Sequence, residues 1–127
     1  MDIVGKSLTT CQVDSAGDSI RLNFQAEGGT PASLELPLDC VRSLLMTLPG
    51  MIERALKMRY GDDSLKLVYP MADWSLETDA CSDHRILTLA TPDGFKVAFA
   101  LKPADVGNLA LSLVDSESDV PFSVAVN

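Results

Sequence analysis

One segment gathers more reactive side-chain types than any other in the chain: Asp79, Ala80, Cys81, Ser82, Asp83, His84, Arg85. Two carboxylates, a thiol, a hydroxyl and an imidazole within six positions are the ingredients of a metal site or a nucleophile with its base. His84 is the chain's one histidine, so any Ser-His-Asp or Cys-His chemistry must run through it. The spacing matches no metal-ligand motif, and no metal or cofactor is expected. Nearby, Tyr69 and Trp74 flank Pro70-Met71-Ala72-Asp73. Aromatics with a methionine and a carboxylate could line a small-molecule pocket, or simply pack inward from a loop. Tyr69, Trp74, Asp79, Asp83 and His84 are therefore the candidate ligand-binding residues. The competing reading of Asp79–His84 is an Asp- and Ser-rich hairpin turn, because Asp14 to Asp18 holds the equivalent place earlier in the chain.

That equivalence is general. Adding 65 to a residue number brings two stretches into register without a gap. Asp14 meets Asp79, Asp18 meets Asp83, Leu22 meets Leu87 and Gly29 meets Gly94; Leu36, Val41, Leu44 and Leu48 meet Leu101, Val106, Leu109 and Leu113. Structural signals coincide as well. Ile20, Leu22, Phe24 and Ala26 alternate with polar residues, as a half-buried strand does, and Leu87 and Leu89 keep the same phase. Glu27-Gly28-Gly29 and Pro92-Asp93-Gly94 are turns, each offering glycine for a positive φ. The next strands carry Ala32, Leu34 and Leu36 against Val97, Phe99 and Leu101. Apolar residues at 41, 44, 45 and 48, and again at 106, 109, 110 and 113, describe one face of a helix. A proline and an aspartate precede each, which suits a first turn.

The pattern predicts an α+β fold with an internal pseudo-two-fold repeat: antiparallel strands followed by a helix, twice. About eight strands are expected, with Ile3-Val4 opening the first half and the Leu65–Tyr69 run the second. The first helix is expected to be long, reaching about Tyr60, and kinked or split at Pro49. The second should stop near Val114, before the acidic run Asp115–Asp119, with a last strand among Val120, Phe122, Val124 and Val126. Repeat units of about 1–62 and 66–127 are each too small to close a core, so residues 1–127 are expected to form a single domain.

Composition bounds the function. The 127 residues are 46% hydrophobic and 22% charged, an ordinary globular balance. Ten basic against 18 acidic residues give a net charge of −8, which repels nucleic acid and anionic membranes. No apolar run is long enough to span a bilayer, and Met1–Ser7 lacks the pattern of a secretory signal. Cys11, Cys40 and Cys81 are three, widely spaced and outside any C-x-x-C, so reduced thiols in the cytoplasm are expected. Cys40 stands at a helix start beside Asp39, and Arg54, Lys57 and Arg59 complement a helix C-terminus rather than building an anion site.

One asymmetry bears on partners. Arg21, Asn23, Gln25, Ser33 and Glu35 line the outer phase of the first half's strands; the matching residues are Ile86, Thr88, Ala90, Ala98 and Ala100. A smooth apolar sheet face of that kind is normally covered, here by the chain itself or by a second subunit. No common catalytic motif is present. The favoured reading is a non-catalytic binding or assembly module forming a homodimer through these five residues. An acidic chaperone-like adaptor for another protein, and an enzyme or small-ligand binder near His84, are the alternatives.

Overall fold

Strands form where apolar and polar residues alternate, and turns where glycine or aspartate can bend the chain. The computed structural model describes residues 1–115 and 124–126. It is α+β, with six strands in two three-stranded antiparallel sheets, one further strand before the second helix, and two helices. Residue contacts divide the chain into two compact units, Met1–Ile52 and Glu53–Asn127, with the boundary inside the first helix.

In the first unit, β1 (Gly5–Val13), β2 (Ser19–Ala26) and β3 (Pro31–Pro37) form a meander in the order β1-β2-β3. Cys11, Leu22 and Leu34 stand opposite one another, as do Val13, Ile20 and Leu36, so one face is apolar. The other face carries a polar ladder. The Asn23 side-chain amide donates to the Thr10 hydroxyl at 2.8 Å, the Ser33 hydroxyl donates to Asn23 Oδ1 at 2.7 Å, and Arg21 pairs with Glu35 at 3.5 Å. Ile3 and Val4 lie outside the sheet, although the Val4 carbonyl accepts the Glu27 amide at 2.8 Å. The expected opening strand is absent, so seven strands, not eight, precede the second helix. Two apolar residues ahead of Gly5 are too short a run to extend the ladder.

Helix α1 (Leu38–Tyr60) begins directly after β3. It is 23 residues long and carries Pro49 in its interior without being divided there. Proline removes one backbone donor, and the turns on either side keep theirs. Gly61 then takes φ +62, and the Asp62 amide returns to the Lys57 carbonyl at 3.1 Å. That is a left-handed helix stop, with Lys57 and Arg59 in the last turn beside the negative end of the dipole.

In the second unit, β4 (Lys66–Val68) pairs in parallel with the three-residue β8 (Val124–Val126). Glu53 on α1 accepts the Leu67 amide at 2.9 Å, and Leu65 is the buried apolar side chain among the described residues. β5 (Asp73–Thr78), β6 (Arg85–Ala90) and β7 (Lys96–Leu101) form the second meander, and α2 (Pro103–Val114) follows. No residue of α1 or α2 is buried. Val120, Pro121 and Phe122 of the expected last strand, and residues 116–119 of the acidic run, lie outside the described residues.

The internal registers of the two meanders coincide at the 65-residue spacing over their central rows and part at the β1 bulge, where Phe24 faces Leu8 but Leu89 faces Trp74. Cys11 faces Leu22 as Leu76 faces Leu87; Leu22 faces Leu34 as Leu87 faces Phe99; Phe24 faces Ala32 as Leu89 faces Val97. The turns agree too. The amides of Ala26 and Thr91 reach the carbonyls of Thr30 and Phe95 at 2.8 and 2.9 Å, and Gly29 and Gly94 take φ +85 and +93.

The two backbone roles of glycine give a paired prediction. Gly94→Ala forces a side chain into the left-handed region and should lower stability by about 1 kcal/mol. Gly107 lies inside α2, where an added methyl meets nothing within 4 Å. Gly107→Ala should raise stability by roughly 0.5–1 kcal/mol. Urea denaturation midpoints moving in opposite directions is the expected result.

Candidate functional site

The five candidate residues all lie in the second unit, and the structure parts them into separate places. Trp74 is on β5, directly opposite Leu89, and shares a face with Leu76, Leu87, Val97 and Phe99. Asp79 follows the far end of that strand. Five residues of extended chain put it about 16 Å from Trp74 along the strand. Tyr69 lies before β5 and pairs its ring with Phe95, the centroids 5.2 Å apart and the planes inclined by 36°. Phe95 had no place in the sequence reading; its position beside a turn glycine gave it no periodicity to report.

Asp79, Asp83 and His84 belong to the β5–β6 hairpin connection. One carboxylate oxygen of Asp79 accepts the Cys81 amide at 3.0 Å, and the other accepts the Ser82 hydroxyl at 2.7 Å. The Asp79 amide donates to the His84 carbonyl at 3.1 Å and closes the loop. The His84 amide reaches the Ser82 hydroxyl at 3.2 Å, and its ring Nδ1 lies 2.9 Å from the same oxygen. Asp83 is only loosely engaged, 3.7 Å from that ring nitrogen, with its side chain 83% exposed. Donated hydrogen bonds from the Cys81 amide and then the Ser82 hydroxyl hold the Asp79 carboxyl below its ordinary pKa, with His84 adding a smaller pull.

The arrangement is an aspartate-capped turn. Asp14 does the same work between β1 and β2, accepting the Ala16 amide at 3.3 Å, while its own amide reaches the Ser19 carbonyl at 3.0 Å. What the carboxylate does in both places is replace backbone partners that a tight connection cannot supply. Among the described residues, no three His, Cys, Asp or Glu side chains converge as a metal-binding group. Cys11, Cys40 and Cys81 are unpaired and exposed.

A second constellation is better assembled than the first. Register places Ile86 opposite Ala100 and Thr88 opposite Ala98, with Ala90 next along β6. These five residues share one face of the β5–β7 sheet, flanked on β5 by Asp73, Ser75 and Glu77. No polar ladder crosses them as Thr10, Asn23 and Ser33 cross the first sheet. The opposite face holds the large side chains, with Trp74 61%, Phe99 52% and Leu76 42% exposed. The small face is thus an apolar strip bordered by Asp73 and Glu77 on β5 and by Lys96 opposite Ala90, whereas the large face is apolar on all three strands in the rows of Trp74 and Leu76.

The turn makes a pH prediction. Asp79 is easier to ionise in the folded chain than in the unfolded one, so its contribution is complete above the ordinary aspartate range and is lost as pH falls through the lowered value. Asp79→Ala should therefore lower the melting temperature at pH 7, and the gap to the wild-type chain should close in strong acid. A gap that stays constant with pH would contradict the capping role. Comparison of the chain with protein-family models, with curated proteins and with solved structures finds no match.

Proposed function

We propose that the protein is a non-catalytic binding and assembly module that associates with a second copy of itself through the β5–β7 sheet. The observation that carries this reading is the large apolar face of that sheet, on which Trp74, Leu76 and Phe99 stand exposed. An apolar sheet face of this kind is stable when it is covered. Burying a Trp, Leu or Phe side chain stabilises by roughly 1.5–3 kcal/mol. Three such residues on the large face therefore represent an energy comparable to the whole stability of a small domain. On the other face Ile86, Thr88, Ala90, Ala98 and Ala100 form a smaller strip beside Asp73, Glu77 and Lys96. The first sheet, with its ladder of Thr10, Asn23 and Ser33, needs cover on one side only.

The chain is best read as an internal repeat whose halves have diverged in their faces. Support comes from the shared registers, the aspartate-capped first turns and the glycine-bearing second turns, all at one 65-residue spacing. We place the protein in the cytoplasm, where exposed, unpaired Cys11, Cys40 and Cys81 stay reduced. No helix among the described residues is long and apolar enough to cross a membrane.

If association covers apolar surface, folding and assembly are linked, and stability depends on concentration. Light scattering at tens of micromolar should give the mass of a dimer, and the melting temperature should rise as the protein is concentrated. A monomer mass with a concentration-independent melting temperature would contradict the reading.

A further inference from the structure

Two three-stranded sheets have four edges, and three of them are unsuited to pairing with another strand. β1 has register shifts between Gly5 and Ser7 and between Leu8 and Thr10. β3 begins at Pro31 and ends at Pro37, so it lacks an amide donor at both ends. β5 carries Asp73 and Glu77. Irregularity, proline and charge are the devices by which sheet edges avoid partners.

β7 has no proline and no register shift within its length, and its one charge, Lys96, stands at its first residue. It pairs with β6 in unbroken register from Lys96 to Leu101, and among the described residues no strand lies on its other side. Its interior reads Val97-Ala98-Phe99-Ala100-Leu101: large, small, large, small, large. That order is the same in both directions. A strand with this symmetry complements a second copy of itself running antiparallel, which is the geometry a two-fold axis requires.

We propose that β7 pairs with β7 of a second copy, antiparallel and centred on Phe99, to give one continuous six-stranded sheet. The proposal rests on the self-association read above and adds an edge contact to it, one that extends the large face into a single broader surface rather than covering it. Phe99 meets Phe99 of the other copy, Val97 meets Leu101, and Ala98 meets Ala100. The axis keeps like faces on the same side, so the large faces join into one surface and the small faces into another. Lys96 of each copy falls opposite Lys102 of the other. That like-charge contact sets the limits of the pairing and is relieved by salt.

Directly opposed residues in such a ladder lie about 4.5–5.5 Å apart, within disulfide range, while diagonal neighbours lie about 7–8 Å apart. The test uses full-length chain with Cys11, Cys40 and Cys81 replaced by serine. Ala98→Cys and Ala100→Cys chains are mixed, oxidised gently and analysed by mass spectrometry. The 98-to-100 disulfide should exceed the 98-to-98 and 100-to-100 products several-fold. A dimer that gives the three products in statistical proportion would overturn the edge pairing while leaving self-association standing, as faces stacked on each other would do. A monomer by sedimentation equilibrium overturns both. A second variant needs no cysteine: Lys96→Glu turns the contact with Lys102 attractive and should tighten the dimer several-fold, and an unchanged dissociation constant counts against the register.

Discussion

Two-residue periodicity inside a three-stranded meander decides which side chains this fold must cover and which it can leave in water. Alternation sends half of each strand's side chains to one face, and register lines them up across the sheet. Val13, Ile20 and Leu36 make a row in one unit; Leu76, Leu87 and Phe99 make a row in the other. A sheet of three strands gathers such rows and has nothing of its own to lay over them. Its central strand profits most: every residue of β6 after Arg85 is half-buried, whereas all of β5 is exposed. Everything else about this chain concerns what meets the faces that alternation creates.

The two sheets answer that problem differently on a shared framework. In the first, hydrogen bonds among Thr10, Asn23 and Ser33 and the Arg21–Glu35 pair make the second face content in water. In the second, the same positions hold Thr88, Ala98, Ile86 and Ala100, which offer water little. The framework itself is set by turns. Asp14 and Asp79 use their carboxylates where the backbone runs out of partners, and Gly29 and Gly94 supply the positive φ that closes the second hairpin.

Much of this was legible in the sequence because it is local. Alternation marked β2, β3, β6 and β7, helical spacing marked α1 and α2, and the ends near Tyr60 and Val114 fall where glycine or acid ends the pattern. The Asp79–His84 segment shows the limit of composition as a guide. Reactive side chains were concentrated there because turns favour aspartate and serine, and their partners prove to be one another. Trp74 was close to them in number but at the other end of an extended strand. Longer-range features left weaker traces. The Glu53 carboxylate on the Leu67 amide joins residues 14 apart, and the Tyr69–Phe95 ring pair joins residues separated by two strands. Neither follows from a period. Pro49 shows the converse, a strong local signal that does not end the helix, because one lost donor does not outweigh 23 residues of helix.

In the pairing proposed above, a second copy completes the β5–β7 sheet along β7. Amide hydrogen exchange, followed residue by residue across a range of protein concentration, reads this most directly. The outward-facing amides of β7 should become protected as concentration rises, while those of β1 keep the same rates throughout. Exchange of the Val97–Leu101 amides that is independent of concentration, in a protein that is nonetheless folded, would contradict it.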